Sequence, residues 1–551
     1  MKKISLLFLI SLIAFSSFLY AEEKPYDYVI KDALVFDGES LVPIKRDLAI
    51  SRDQIVQMGT IPREEGREVI EAQGLVASPG FIDMHTHSDF NSFVYPNLGN
   101  KVLQGVTTEV VGNCGMSAAP IEGNFAGEIS NIWRREGVEI PKAIQWESFA
   151  DYQNEAEFRG LETNIVGLVG HGNLRSAVMG MDPKPARPEE IESMRKLLGQ
   201  AMDEGAFGVS FGLVYLPGIF AEREELVALC EEAAKHKGIC AFHIRSEGRG
   251  LLKAVQEVID IGRSSHAHIH ISHLKAASQK NWPKIQEVFQ MINEARKEGL
   301  EITADAYPYT ASFAELGVVL PDAIYQDPNR AERFKDPEKK KDILRTLANY
   351  YQKNPLAWDH IKVATVTTDA NSRWRGKSLL EIAEESKKTP VEVLVDLLAD
   401  EDFKVSAFYF SQSEAVISQV LSQPYVVIGS DSIADGSASP HPRAYGTFPR
   451  ILHRCVQEGD VMNNICWGRA IQQMTGSPAR ILGLRKRGRI GTGLYADLLL
   501  FDPKAVRDRA DYDHPKIPPE GIQWVFVNGK PVVREGRYEA AHSGLFLNPE
   551  K

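Results

Sequence analysis

Two hydrophobic rhythms alternate through most of this chain. Short apolar runs bounded by Gly, Pro, Asp or Asn predict strands, and longer stretches with apolar residues three and four apart predict helices. Eight such runs can be placed: Gly80–His87, Thr107–Cys114, Asn164–His171, Ala206–Gly212, Ile239–Arg245, His268–His273, Glu301–Tyr307 and Tyr425–Asp431. Helical text follows most of them, as in AEREELVALCEEAAKHKG after the fourth. Strands alternating with helices predict βα units around a parallel sheet, and eight of them predict a (β/α)8 barrel of the α/β class. The connection from Tyr309 to Pro424 is too long for a plain loop and predicts an inserted lid subdomain.

The two ends read differently. YVIKDALVFDG, DLAISRDQIVQMG and REVIEAQGLVAS near the start are short, turn-punctuated β text, and the style returns in RIGTGLYADLLLFDP and IQWVFVNGKPVVREGRY. Both ends are expected to build one small β-sandwich-like domain, from residues 22–77 and 485–551. The barrel is then expected over 78–484, with the insertion at about 310–424. Residues 1–21 stand apart: Lys2 and Lys3 precede an apolar run from Ile4 to Leu19, and Ala21 meets Glu22 and Glu23. That pattern predicts a secretory signal peptide cut after Ala21, and hence an exported, periplasmic protein; Leu19, larger than the small residue preferred three before the cut, leaves an uncleaved anchor as the alternative.

Composition narrows the class. Over 551 residues, 43% are hydrophobic and 25% charged, a globular balance that excludes a mainly disordered or coiled-coil chain. With 63 basic against 74 acidic residues the net charge is −11, which lacks the cationic footprint a nucleic-acid binder needs. Beyond the N-terminal run no segment has the roughly 18 uninterrupted apolar residues of a membrane helix. Five cysteines, Cys114, Cys230, Cys240, Cys455 and Cys466, are too few and too odd in number for a disulfide scaffold. Cys230 and Cys240 read as small buried hydrophobes, and Cys455 and Cys466 could pair.

The chemistry gathers where a barrel keeps its active site, at the C-terminal ends of the strands. His85 and His87 end the first run, Cys114 the second, His273 the sixth and Asp431 the eighth, while His243 lies near the end of the fifth. A single histidine in such a run is more often a core residue than a ligand, but the joint placement at strand ends points to a metal centre. Residues two apart on a strand share a side, so His85 and His87 project together into the mouth. By the same alternation His268 and His270 oppose His273 and are expected to face the helices. Cys114 sits in VVGNCGMS, where two glycines and an asparagine predict a tight turn that offers a thiolate to a metal. Asp431, between Ser430 and Ser432, suits either a loop cap or proton transfer beside the metal. Arg443 offers a two-pronged match to a carboxylate; Lys275 lies two residues past His273, and Tyr307 and Tyr215 could donate hydrogen bonds. Arg245 shares parity with His243 and could orient Glu247 or the substrate.

GFIDMHTHSD, VVGNCG, HIRSEG, ISHLK, DAYPY, IGSDS and HPRAYGTFPR, in that order, resemble the D-aminoacylase (N-acyl-D-amino-acid deacylase) branch of the amidohydrolase superfamily, from about Tyr28 to Tyr538. The resemblance implies a metal-dependent barrel that hydrolyses the linear amide of an N-acyl-D-amino acid; the D preference comes from it alone. It implies a tightly held Zn2+ on Cys114, His243 and His273, and a second, weaker position at His85 and His87 with the cysteine between. It makes Asp431 the catalytic acid/base and puts Lys275, Tyr307 and Arg443 in substrate contact, with Tyr215 a weaker candidate. Many amidohydrolases use a carbamylated lysine from strand four instead. The fourth run, GAFGVSFG, has no lysine, which fits a cysteine in that bridging role.

Two departures bear on substrate preference: Ser88 stands where relatives often carry an acid, and the charged Glu222-Arg223-Glu224 cluster is expected to alter the side-chain pocket. Alternative readings are an amidohydrolase acting on cyclic amides or dipeptides, and a non-catalytic exported binding protein on the same barrel.

Overall fold

The computed structural model describes residues 24–121, 144–327, 329–433, 440–454 and 467–550. The expected signal peptide, Cys455 and Cys466 lie outside the described residues. Eight barrel strands follow in chain order: β1 Phe81–Asp83, β2 Val106–Val111, β3 Asn164–Gly167, β4 Gly208–Gly212, β5 Ile239–His243, β6 His268–Ile271, β7 Ile302–Ala306 and β8 Val426–Ile428. β1 to β3 pair in parallel, Val169–Gly170 carries β3 across to β4, and β4 to β8 pair in parallel in order. Met84 N–H donates to Ile428 O at 3.2 Å and Asp431 N–H to His85 O at 2.8 Å, which closes the ring between β8 and β1.

Every strand is shorter than the run that announced it. His85, His87, Cys114, His273 and Asp431 stand two to four residues beyond their strands, and His243 is the last residue of β5. They are therefore aimed by turns as much as by strand alternation. Cys114, His273 and Asp431 take positive φ values of 54°, 36° and 52°, a region that costs a non-glycine residue about 1–3 kcal/mol and persists only where the surroundings over-determine it. The turn at Cys114 is tight enough that a Cβ on Gly115 would come within 2.5 Å of Gly212 N. Asn113 braces it by donating to Val110 O at 2.9 Å.

Inside the barrel one wall is apolar. Ile82, Val110, Val166, Ile239, Ala241 and Val427 share a buried cluster with Leu482 and Leu484. The β6–β7 wall is polar: His268 and His270 both reach Thr303 Oγ1, at 2.9 and 2.8 Å, and His270 Nε2 lies 3.0 Å from Asp305 Oδ2. The expectation that these two histidines face the helices is therefore corrected. β6 ends at Ile271, and the left-handed turn at His273 swings that ring into the mouth, so its parity does not carry back along the strand.

Strands from both chain ends join in one nine-stranded sheet. Its period of two is explicit. Leu498, Leu500, Trp524 and Phe526 pack with Ile30, Leu48 and Ile50 on one face, while Leu499, Phe501, Val525 and Val527 turn to the barrel core. The final residues leave the sheet: Ile165 N–H donates to Leu545 O at 2.9 Å, so the tail docks on β3. Between β7 and β8 the insertion carries an antiparallel sheet of Ala311–Glu315, Ile361–Thr365 and Ser406–Phe410, with helices around its own core of Phe334, Leu347, Leu394 and Leu398.

A buried ion pair fastens the seam between β1 and β8. Lys101 Nζ lies 2.6 Å from Asp83 Oδ2 and donates to Ser430 Oγ at 3.0 Å and Ser432 Oγ at 2.7 Å, bracketing Asp431. Removing one partner strands the other charge, so Lys101→Met is expected to cost about 3–5 kcal/mol. Adding Asp83→Asn should return much of it, read from denaturant midpoints; a double variant as unstable as the sum of the singles would contradict this.

Candidate metal centre

Cys114 stands at the centre of the barrel mouth. Its Sγ is 3.4 Å from His85 Nε2, 3.5 Å from His243 Nδ1 and 3.5 Å from His273 Nε2, and the latter two nitrogens are 3.0 Å apart. A tetrahedral zinc with Zn–S of about 2.3 Å and Zn–N of about 2.0–2.1 Å needs S···N near 3.5 Å and N···N near 3.3 Å. The Cys114, His243 and His273 donors meet that geometry. His85, His87 and Cys114 form a second possible donor group, and His85, His273 and Asp431 a third. Asp431 Oδ1 is 3.5 Å from His85 Nε2 and 3.4 Å from His87 Nε2.

The electrostatics favour a bound cation. Burial alone would push the Cys114 thiol up, yet His85, His243 and His273 hold it well below its ordinary value, as a thiolate. Burial would likewise raise Asp431, but Arg443 and His87 keep it well below the usual carboxylate range. Against its own burial, His87 is raised to about 9 by Asp431 and Cys114. His243 is lowered by burial and by His273, which keeps it neutral, the form that binds metal. Positive charge is thus stabilised where the donors converge.

The groups expected to meet a substrate are partly engaged already. Arg443 NH1 donates to Asp431 Oδ2 at 2.7 Å. Lys275 Nζ pairs with Glu247 Oε1 at 2.5 Å, and the same carboxylate lies 2.8 Å from His273 Nδ1. Tyr307 is 2% exposed, and its ring lies 5.5 Å from Lys275 Nζ and 4.8 Å from the Arg443 guanidinium carbon. Among the described residues its hydroxyl has no hydrogen-bond partner, so a buried donor waits beside two cations. Tyr215 stacks edge-on to His243 at 4.9 Å between ring centroids.

Arg443, Lys275, Glu247 and Tyr215 line a cavity of about 590 Å³ walled by Met116, Leu213, Ile219, Phe313, Val318 and Leu320, the last three from the insertion. Arg245 does not reach Glu247: its Nε donates to Glu257 at 2.8 Å and its NH1 to Ile219 O at 3.0 Å, pinning the β4 loop. The Glu222–Glu224 cluster lies outside the cavity wall, with Arg223 on Ser264 Oγ at 2.8 Å. Ser88 donates to Glu109 Oε2 at 2.7 Å, so an acid is supplied from β2.

The amidohydrolase family pattern matches residues 68–306 and 335–533. The D-aminoacylase of Alcaligenes xylosoxydans xylosoxydans is 31% identical over 96% of this chain and 98% of its own length. The N-acyl-D-glutamate deacylase of the same organism is 31% identical over 92% of this chain and 93% of its own. A crystal structure of N-acyl-D-glutamate deacylase from Bordetella bronchiseptica, holding zinc and a phosphonate inhibitor, superposes with a TM-score of 0.79 at 31% identity, covering 95% of this chain and 99% of that one. The chain belongs to the D-aminoacylase branch of the amidohydrolases.

Two residues of this amidohydrolase site were missed in the sequence. Asp305 holds His85 Nδ1 at 3.3 Å, His270 Nε2 at 3.0 Å and the His273 backbone N–H at 2.9 Å. Glu247 orients His273 from its far nitrogen. Both stand in quoted motifs, DAYPY and HIRSEG. Asp305 also shares strand parity with Tyr307, a signal that could have placed it inward. Cys114 serves two of the three donor groups and His87 one, so Cys114→Ala should lose more bound metal than His87→Ala by elemental analysis. Equal losses would contradict this geometry.

Proposed function

We propose that this amidohydrolase is a zinc-dependent deacylase of N-acyl-D-amino acids, releasing a carboxylate and a free D-amino acid. The observation that carries the reading is the convergence of Cys114 Sγ, His243 Nδ1 and His273 Nε2 within 3.5 Å of one another beside Asp431. Cys114, His243 and His273 would hold the tight ion, and His85 and His87, sharing Cys114, a weaker one. When bound, zinc supplies Lewis acidity that polarises the amide carbonyl and acidifies water towards pH 7. Asp431, ionised at neutral pH, takes the proton of the attacking water. It then passes that proton to the departing nitrogen, which leaves as an amine rather than an amide anion. Arg443, Lys275 and the Tyr307 hydroxyl would receive the substrate's α-carboxylate, and Tyr215 flanks it.

The absence of lysine from β4, whose sequence is GVSFG, supports a sulfur rather than a carbamate between metal positions. The D configuration follows from relatives that act on N-acyl-D-amino acids. Export rests on the Lys2–Ala21 segment, and the N-terminus of protein recovered from its native host should read Glu22-Glu23.

The decisive test is a chiral panel of N-acetyl-D- and L-amino acids, hydantoins and dipeptides, with zinc quantified in the same preparation. Turnover of N-acetyl-D-amino acids is expected, and Asp431→Asn should lower kcat by about 10²–10⁴-fold with zinc retained. Turnover confined to hydantoins or dipeptides, or a fully active Asp431→Asn variant, would overturn the assignment.

A further inference from the structure

The histidine-rich text HIHISH, β6 and the turn after it, contributes one residue to the metal centre and two that the proposed reaction does not use. Those two begin a hydrogen-bonded column that crosses the barrel from the face opposite the metal cluster. His268, the first residue of β6, lines a surface cavity of about 760 Å³ beside Arg296 and Tyr425. From its Nε2 the contacts run 2.9 Å to Thr303 Oγ1, then 2.8 Å from that hydroxyl to His270 Nδ1. They continue 3.0 Å from His270 Nε2 to Asp305 Oδ2, and 3.3 Å from the same oxygen to His85 Nδ1. The other oxygen, Oδ1, accepts the His273 backbone N–H at 2.9 Å.

With neutral rings only one proton assignment satisfies every contact. Asp305 accepts, so His85 donates from Nδ1 and His270 from Nε2. His270 Nδ1 is then an acceptor, and only the Thr303 hydroxyl can supply its proton. Thr303 Oγ1 in turn accepts from His268 Nε2–H. Burial, together with His270 and Arg296, lowers His268 to about 4, consistent with a neutral ring at the start of the series. The direction of the column is therefore set up to Asp305, and its upper end is His85, whose Nδ1 lies on Asp305 at 3.3 Å and whose Nε2 faces Cys114 Sγ at 3.4 Å.

We infer that Thr303 and His270 are positioning residues, which act through Asp305 to fix the tautomer and aim of His85 and the turn that carries His273. Neither touches the donor cluster. A polar partner that orients a metal ligand is worth 10–100-fold in metal affinity. Without the Thr303 hydroxyl, His270 Nδ1 becomes a buried unsatisfied acceptor, and the ring loses the contact that holds its Nε2–H on Asp305, which loosens both turns.

This inference rests on the metal-binding reading of the site and not on the choice of substrate. It is tested by chelator competition for zinc on the full chain, with thermal midpoints of the metal-free proteins alongside. Thr303→Val keeps the shape of the side chain and removes the hydroxyl, Thr303→Ser restores the hydroxyl, and His270→Phe removes the donor to Asp305. The expected order for the weakest zinc equivalent is a loss of about 10–100-fold for His270→Phe and about tenfold for Thr303→Val, with Thr303→Ser within threefold of the parent. Metal-free midpoints for Thr303→Val and Thr303→Ser should stay close together. A Thr303→Val protein that binds every zinc equivalent within twofold of the parent, or a Thr303→Ser protein as impaired as Thr303→Val, would overturn it. A parent that takes up no zinc would overturn the metal reading and this inference together, whereas a zinc-binding parent inactive on every amide would overturn only the deacylase reading.

Discussion

A thiolate buried among imidazoles, with two carboxylates nearby, is poor company for a protein interior unless a cation neutralises it. Burying charge without a partner costs several kcal/mol per ion. Cys114 is 4% exposed and three ring nitrogens lie within 3.5 Å of its sulfur. The surrounding architecture serves to hold that arrangement. Three of its members, Cys114, His273 and Asp431, sit in left-handed backbone, and each is tied from more than one side. Gly115 closes on Gly212 beside the first, Asp305 grips the second by its backbone, and Ser430 and Ser432 anchor the third to Lys101. Strain of this kind is maintained by the rest of the fold, and it lies where a metal would hold the donors together.

The outer parts of the molecule then make sense as support. The nine-stranded sheet turns Leu499, Phe501, Val525 and Val527 to seat the barrel. The insertion brings Phe313, Val318 and Leu320 over the mouth while keeping a core of its own. A lid with an independent core can alter its cavity-facing residues without disturbing the barrel.

Much of this was legible in the residues. Eight apolar runs marked all eight strands, because a parallel sheet buried on both faces writes itself as near-continuous apolar text. The site was legible where chemistry and position coincide: His85, His87, Cys114, His243, His273 and Asp431 all fall in overlapping donor groups. What period-two reasoning missed lies where a strand stops. Alternation carried back from His273 puts His268 and His270 on the helix side, but His273 stands past the strand end in a left-handed turn, with φ of 36°. Asp305 and Glu247 escaped because an acid's role depends on which nitrogen it faces, and Arg245 because its partner, Glu257, comes from the following helix. Such pairings are tertiary facts with no local signature.

The central claim is that one sulfur and at least two imidazole nitrogens share a bound ion. X-ray absorption at the zinc edge of the purified protein reads that directly. The account predicts one sulfur at about 2.3 Å together with nitrogen or oxygen neighbours at about 2.0–2.1 Å, and loss of the sulfur shell in Cys114→Ala. A first shell of nitrogen and oxygen alone in the parent protein would contradict it.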